Sequence, residues 1–167
     1  MALLFTTSRL DVSEIFTETA QCERFELLRR IPELLTAQVV ESLPTYFHDI
    51  DSQVDAARWL ERMMSESHLF AVKLHHTDFI IGFVFVYIEN EGDAHIGYLL
   101  GENYWGQGLA SELLSGFIKQ VIQTQSWTKL IAGVAPNNQA SCRLLVKLGF
   151  APSAAEGPVT FYEYQLS

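Results

Sequence analysis

One stretch, Tyr98 to Ser111, constrains most strongly what this chain of 167 residues can fold into. An apolar run ends at Leu100, a turn-rich segment follows, and Gly106 and Gly108 open a helical pattern. The first N–H groups of a helix have no intrahelical partner and carry partial positive charge. Glycines carry no Cβ, so a phosphate can reach the backbone. The stretch therefore predicts either an anion site or an ordinary strand-to-helix turn.

The segments around this stretch predict a β-α-β unit. A strand at 94–100, a helix over Gly108–Thr124 and a strand at Lys129–Val134 imply one parallel pair with a right-handed crossover. Upstream, Phe79–Ile88 is β-branched and aromatic without polar alternation, which indicates a central strand buried on both faces. Asn90–Asp93 between these strands predicts a hairpin turn.

The N-terminal part predicts one strand and two helical regions. We expect a strand within Leu3–Phe16, and a helical region over Ala20–Val40 that either breaks at Pro32 or contains a second helix beginning near it. Asp51 or Ser52 is a suitable cap for the next helix. The apolar face of that helix is expected to comprise Val54, Ala57, Leu60 and Met64.

The remaining elements complete an α+β order. His68–His75 predicts a short strand, a last helix begins at Pro136 and ends at Gly149, and Val159–Leu166 closes as a strand. Antiparallel hairpins thus feed the one parallel pair. The length of 1–167 suits a single domain with a sizeable core.

Composition excludes several classes of function. A net charge of −9 argues against nucleic-acid binding, and it fits either a cationic amine substrate or general solubility. No apolar run reaches the roughly 20 residues that span a membrane, and no signal peptide is apparent. Two isolated cysteines, Cys22 and Cys142, suit a reducing cytoplasm. His75 and His76, adjacent in a strand, should point to opposite faces, so no metal site is expected.

Two separated segments resemble the GNAT (GCN5-related) N-acetyltransferases. Trp105–Ala110 resembles the acetyl-CoA loop, whose pattern is Gln/Arg-x-x-Gly-x-Gly/Ala, and Asn138–Ser141 followed by Leu144–Phe150 resembles the pattern Asn-x-x-Ser…Lys-x-Gly-Phe. Ile96–Tyr98 and Thr7–Leu10 resemble the subgroup that acetylates N-terminal α-amines of ribosomal proteins. The resemblance implies the acyl-CoA N-acyltransferase (GNAT) fold, a mixed and mostly antiparallel sheet flanked by helices.

The resemblance also implies how acetyl-CoA, the co-substrate, is held. The two parallel strands splay apart, the pantetheine arm lies between them, and the pyrophosphate sits on the backbone amides of the loop. Trp105 replaces the family's first Gln or Arg, so no side-chain cation is expected there. The implied cofactor-binding residues are Leu99, Leu100, Trp105, Gly106, Gln107, Gly108, Leu109, Ala110, Ser111, Asn138 and Ser141.

Acetyl transfer by direct attack needs a base for the ammonium and an acid for the departing thiolate. Many relatives use a tyrosine as the acid, but Leu145 stands at that position and cannot donate. Ser141 is the candidate substitute for this acid. The alternative is a structural serine whose hydroxyl donates to the backbone carbonyl one turn back. The candidate bases are His95 and Glu163. The alternative for His95 is an exposed strand histidine without a catalytic role, and the alternative for Glu163 is a carboxylate on the sheet surface.

The resemblance favours an enzyme that acetylates a primary amine, such as a protein or peptide N-terminal α-amine. Two alternatives stay open: a small-molecule amine such as a polyamine, amino acid or drug, and a non-catalytic acyl-CoA-binding module. The chain is expected to act as a monomer or homodimer. In this fold the N-terminal helical part usually forms the acceptor site. It contains Phe25, Phe47, Trp59 and Met63-Met64, most of which are individually expected to pack in the core.

Overall fold

The computed structural model describes residues 1–18 and 21–166. Eight strands form one sheet in the spatial order β1-β2-β3-β4-β5-β6-β8-β7. The strands are β1 (Ala2–Thr6), β2 (Leu10–Ile15), β3 (His68–Leu74), β4 (Ile80–Glu89), β5 (Asp93–Leu100), β6 (Lys129–Val134), β7 (Ala151–Glu156) and β8 (Val159–Gln165). The helices are α1 (Gln21–Leu34), α2 (Gln53–Glu66), α3 (Leu109–Thr124) and α4 (Gln139–Leu148), with short 3₁₀ turns at Thr45–Phe47 and Glu102–Tyr104.

The sheet has the predicted mixed topology. β5 and β6 pair in parallel, and every other neighbouring pair is antiparallel. The expected α+β class, with one parallel pair joined by α3, is therefore confirmed. Within the described ranges, no helix combines the length and the apolar character that crossing a membrane requires.

The prediction of a single strand within Leu3–Phe16 is wrong, because the segment forms the hairpin β1–β2. The Thr7 N–H donates to the Leu10 carbonyl at 2.8 Å, and the Thr7 hydroxyl accepts from the Leu10 N–H at 3.1 Å. A threonine hydroxyl that binds the backbone nearby stabilises a turn in this way. The hairpin brings the turn residue Arg9 to the first turn of α3.

The predicted break at Pro32 is also wrong, since α1 continues to Leu34. Proline removes one hydrogen bond, but Ile31 and Leu34 are buried in the cluster under α1 and α2, and that packing favours the last helical turn. The predicted start at Ala20 lies outside the described residues. Ser52 is the N-cap of α2, as expected, and accepts from the Asp55 N–H at 3.1 Å.

The buried face of α2 differs from the predicted one. Val54 is 62% exposed, whereas Trp59 is only 3% exposed. Both faces satisfy the helical repeat, and the one that carries the large indole removes more apolar area from water. The buried residues of α2 are Ala56, Trp59, Leu60 and Met63.

The strand β7 was missed by the sequence analysis. Its sequence, Ala-Pro-Ser-Ala-Ala-Glu, contains no β-branched or aromatic residue, and every position is exposed. It forms the edge of the sheet beside β8, where Pro152 is tolerated because one side of an edge strand needs no ladder partner.

The sheet separates two buried apolar clusters. Residues of α3 and α4 pack on one face together with Ala94, Ile96 and Leu100 of β5. Residues of α1 and α2 pack on the other face, which includes Leu99. The pairing of β4 with β5 has no register shift, so His95 and Gly97 share the face of Leu99, as strand alternation requires.

Candidate active site

β5 and β6 separate soon after they meet. Their parallel pairing covers only three residue pairs and ends at His95 opposite Ile131, although β5 continues to Leu100 and β6 to Val134. Beyond His95 the β6-facing backbone edge of β5 has no strand partner. The structure therefore contains a gap between the carboxyl ends of two parallel strands.

The register shows which backbone groups of β5 face this gap. The Gly101 N–H donates to the Ile81 carbonyl at 2.9 Å, and in an antiparallel ladder such bonded pairs alternate along the strands. Leu99 consequently directs its polar groups towards β4, while Tyr98 and Leu100 direct theirs towards the gap. The Leu100 carbonyl accepts from the Trp105 indole N–H at 2.8 Å, so this indole ties the loop to the end of β5.

The loop before α3 presents an uncapped helix N-terminus. Gly106 and Gly108 have φ angles of 71° and 77°, which only glycine adopts readily, and Gly108 caps α3 without a side-chain hydrogen bond. A Cβ on Gly106 would meet no heavy atom within 4 Å. The amides of residues 109–111 lack intrahelical partners, so the loop has both the space and the donors for an anion.

The first turn of α4 faces the same gap. Asn138 caps this helix, and its Oδ1 accepts from the Ser141 N–H at 3.3 Å. The Ser141 hydroxyl lies 3.1 Å from the Tyr98 hydroxyl. The predicted alternative, a serine bonded to a carbonyl one turn back, is not the arrangement found. Leu145, at the position of the missing tyrosine, is 1% exposed and packs in the cluster between the sheet and α3–α4.

Tyr98 is a candidate residue that the sequence analysis did not single out for chemistry. Burial raises the pKa of its phenol, and the hydrogen bond with Ser141 opposes that rise only in part. The hydroxyl therefore keeps its proton at neutral pH. The available signal was its parity in β5, because Tyr98 shares the face of Ile96 and so points towards α4 rather than α1.

The two candidate bases, His95 and Glu163, lie apart from each other on the face of the sheet opposite to the Tyr98 side chain. His95 pairs with Ile131, which in turn pairs with Glu163, so two strand spacings of about 4.8 Å separate them. The His95 Nε2 lies 2.7 Å from Glu89 Oε2 without hydrogen-bond alignment, and its ring stacks on Tyr87 at 4.7 Å. His95 is thus half-buried rather than exposed.

Glu163 is committed to an ion pair. Its carboxylate lies 2.6 Å from the Lys129 ammonium. The hydrogen bond from Lys129 and a second from Ser153 lower the pKa of Glu163 below its ordinary value, against a smaller opposing effect of burial. A carboxylate with a lowered pKa accepts a proton less readily, so its environment favours a structural role over that of a base.

The comparisons with known proteins agree with this geometry. The family model described as acetyltransferase (GNAT) domain matches residues 25–151, which is more than half of the chain. The chain belongs to the GNAT acetyltransferases. This membership confirms the predicted fold and the prediction of an acetyl-CoA-dependent N-acetyltransferase.

Three similar proteins illustrate the relationship of this GNAT acetyltransferase to others. An uncharacterized N-acetyltransferase p20 of Bacillus licheniformis is 33% identical over 123 residues, which are 71% of this chain and 67% of that protein. A [ribosomal protein uS5]-alanine N-acetyltransferase of Escherichia coli is 36% identical over 56 residues, 34% of this chain and 29% of that protein.

The third is a solved structure. A RimL ribosomal L7/L12 α-N-protein acetyltransferase in complex with coenzyme A superposes with a TM-score of 0.78 at 18% identity, covering 98% of this chain and 97% of that one. At this identity the likeness shows the shared fold.

A groove opens beside His95 on the acetyltransferase. Its volume is about 470 Å³, and it lies where the ends of β2 and β4 meet the end of α2. Tyr87 lines it and stacks on His95. Glu14 and Glu66 also line it. Glu66 Oε2 lies 3.3 Å from Arg62, and Glu14 Oε2 lies 3.4 Å from His68, which lines the groove as well.

The prediction that the His75 and His76 side chains point to opposite faces is wrong. The two rings lie 3.7 Å apart rather than on opposite faces, because β3 ends at Leu74 and His76 adopts a positive φ of 62°. His75 Nδ1 contacts the Asp11 carboxylate at 2.5 Å. Within residues 1–18 and 21–166, no group of three or more His, Cys, Asp or Glu side chains is arranged to hold a metal.

Proposed function

We propose that this GNAT acetyltransferase moves the acetyl group of acetyl-CoA to the α-amine at the N-terminus of a protein or peptide, by direct attack. The observation that carries the proposal is the gap between β5 and β6, which has the uncapped start of α3 at one end and Ser141 at its side. These are the features that a thioester with a long diphosphate-bearing arm requires.

The loop and the gap would bind different parts of acetyl-CoA. The amides of Gly106, Gln107, Gly108, Leu109, Ala110 and Ser111 would hold the pyrophosphate, since a Cβ on Gly106 meets only open space there. The pantetheine would bond to the backbone of Tyr98 and to the Leu100 N–H, because the polar groups of Leu99 serve β4 and the Leu100 carbonyl serves Trp105. Asn138 keeps Ser141 at the edge of the gap.

The acid role falls to the pair formed by Ser141 and Tyr98. Acetyl-CoA supplies an activated thioester, and a hydroxyl beside the sulfur assists its departure by giving up a proton. Ser141 would donate, and the adjacent phenol, which keeps its own proton at neutral pH, would restore the proton or stabilise the serine alkoxide. This pair would do what a tyrosine at the position of Leu145 does in many relatives.

The base role falls to His95 rather than to Glu163. His95 marks the point at which β5 and β6 separate, and its ring stacks on Tyr87, which lines the groove. Glu163 is held by Lys129 and lies beyond β6. Because His95 Nε2 is buried against Glu89, Nδ1 would accept the proton of the incoming ammonium, either directly or through one water.

Two observations support the proposed acceptor: the groove beside Tyr87 and the similarity to other acetyltransferases. A protonated α-amine would compete with His68 for Glu14 and with Arg62 for Glu66, and an open groove admits an extended peptide. The similarity to acetyltransferases named for ribosomal uS5 alanine and for L7/L12 supports a protein N-terminus. The net charge of −9 favours a cationic small amine as the second candidate.

A matched pair of peptides tests the acceptor. One peptide has a free α-amine and a blocked lysine side chain, and the other has the reverse arrangement. We expect acetyl-CoA-dependent thiol release and a mass gain of one acetyl group only with the first, and spermine as a poor competitor. Transfer to spermine but to neither peptide would establish the small-amine alternative. No transfer to any acceptor despite tight acetyl-CoA binding would indicate a non-catalytic binding module.

A further inference from the structure

The guanidinium of Arg9 lies against the loop before α3, although Arg9 is about a hundred residues away in the sequence. Its Nε donates to Glu112 Oε1 at 2.8 Å, and its Nη1 donates to the Gln107 carbonyl at 2.9 Å. Its Nη2 lies 3.6 Å from the position that a Cβ on Gly108 would occupy. Nη2 is thus directed at the same open surface that Gly108 leaves accessible.

Glu112 in the first turn of α3 holds this arginine in place. One carboxylate oxygen receives Arg9 Nε, and the other receives the Arg9 N–H at 3.0 Å and the Thr7 hydroxyl. Burial raises the pKa of Glu112, but these donors outweigh it and the pKa is lowered overall, so the group is a carboxylate at neutral pH. The contacts with Glu112 and Gln107 use Nε and Nη1 and leave Nη2 without a hydrogen bond among the described residues.

The position of Arg9 bears on the side-chain cation that is missing at Trp105. Where the family pattern has Gln or Arg, Trp105 turns its indole N–H back to the Leu100 carbonyl and supplies no cation to the loop. Arg9 reaches the loop from the β1–β2 turn instead, with its side chain 47% exposed. A planar guanidinium with an uncommitted donor beside uncapped helix amides suits a phosphate oxygen.

We propose that Arg9 is a binding residue for the diphosphate of coenzyme A, and that Glu112 is its positioning residue. The inference rests on the proposed function, since it assumes that coenzyme A occupies the gap. Arg9 Nη2 donates to a diphosphate oxygen while the amides of the loop bind the others. The β1–β2 hairpin thereby supplies the charge that position 105 lacks.

Dissociation constants for coenzyme A, measured by isothermal titration calorimetry, test the proposal. We expect Arg9→Gln to weaken binding by about 10- to 100-fold, the range for a hydrogen bond to a charged group, and Arg9→Lys to recover part of that loss. Arg29→Gln is the matched control, because Arg29 is 48% exposed and is also paired with glutamate, but lies on α1. It should leave binding unchanged.

Three further ligands and variants separate charge from structure. Pantetheine carries no phosphate, so Arg9→Gln should not change its affinity, and 3′-dephospho-coenzyme A should show the full loss. Because Glu112 acts through Arg9, Glu112→Gln should weaken coenzyme A but not pantetheine, and it should add little to the loss in Arg9→Gln when the two are combined. Equal losses for coenzyme A and pantetheine would show a purely structural clamp, and losses that add in the double variant would show that Glu112 does not act through Arg9. Either result would overturn the proposal.

A loss that disappears with 3′-dephospho-coenzyme A would assign Arg9 to the 3′-phosphate and overturn the diphosphate assignment. Wild-type affinity in Arg9→Gln would overturn any phosphate contact while leaving the proposed function intact. Absence of coenzyme A binding by the unaltered protein would instead refute the proposed function itself, so the two failures are distinguishable.

Discussion

The hydroxyl groups of Tyr98 and Ser141 lie 3.1 Å apart and join β5 to the first turn of α4 at the gap beside β6. Neither residue has a charge, and the phenol is largely buried. The pair therefore forms a neutral donor unit in the part of the molecule where the proposed reaction needs an acid.

Substitutions in this pair should lower the rate without weakening binding of the cofactor. We expect Ser141→Ala and Tyr98→Phe each to reduce kcat by about 10- to 100-fold, at or below the usual range for general acid catalysis. The double variant should lose little more than the worse single variant, since both hydroxyls act as one unit. Steady-state kinetics with a fixed peptide acceptor measures all three.

Tyr164→Phe is the control for the phenol, because Tyr164 packs against Phe150 at 5.4 Å in the neighbouring core. Its kcat should stay within about twofold of the wild type. Losses that multiply in the double variant would show that the two hydroxyls act independently and would contradict the proposed unit.

Gly108→Ala should weaken coenzyme A by about tenfold or more, which corresponds to at least ~1.4 kcal/mol. The methyl group would enter the open surface that the loop leaves for the phosphate. Because Gly108 has a φ of 77°, the substitution also strains the backbone. Calorimetric titration measures the affinity, and thermal unfolding measures the strain.

The chain provides a control for that strain. Gly157 has a φ of 59° in the β7–β8 turn, and a Cβ there would also meet no heavy atom within 4 Å. Gly157→Ala should cost stability of the same order, about 1–2 kcal/mol, and leave coenzyme A binding unchanged. If both variants bound coenzyme A equally well, the loop would not be the phosphate site.

His95→Gln should lower kcat/KM far more than Glu163→Gln does. Glutamine keeps approximate size and polarity at both positions but cannot accept a proton in catalysis. We expect a loss of about 100-fold for His95 and less than about threefold for Glu163, whose carboxylate is occupied by Lys129. The opposite order would transfer the base role to Glu163.

The pH dependence of stability should reveal the ion pair of Glu163. Its pKa in the folded protein is lower than the ordinary value of 4.5, so the pair stabilises the fold above that pH. This stabilisation is lost as the pH falls through the lowered pKa. Urea unfolding should therefore find Glu163→Gln less stable than the wild type at pH 7, with the difference shrinking below pH 4.5.

A difference that persists unchanged at the lowest pH would show that the substitution acts through packing. Arg29→Gln, which removes an exposed pair on α1, should cause a smaller loss at pH 7 because both partners are about half exposed.

The elements that the sequence predicted correctly depend on neighbours along the chain. The capping of α2 by Ser52, the end of α4 at Gly149 and the turn at Asn90–Asp93 follow from hydrogen bonds and φ angles within a few residues. The glycine-containing turn before α3 belongs to the same class, because its glycines and the start of α3 are contiguous. Such features can be predicted from the sequence without knowledge of the fold.

The predictions that failed concern competition between local preference and distant packing. Pro32 disfavours helix locally, but the burial of Ile31 and Leu34 outweighs that preference. The strand β7 has no intrinsic tendency to form and exists because β8 offers it an edge. The face of α2 was decided by where Trp59 could be buried.

For the candidate active site, the sequence alone determined the family motifs, the glycine-containing loop before α3 and the capping of α4 by Asn138. Only the tertiary structure decided that Tyr98 meets Ser141, that Leu99 turns its polar groups to β4, and that Arg9 stands beside Gly108. The physical reason is that strand register and parity set which side chains and backbone groups share a surface. Those quantities follow from pairings between segments that are remote in the sequence.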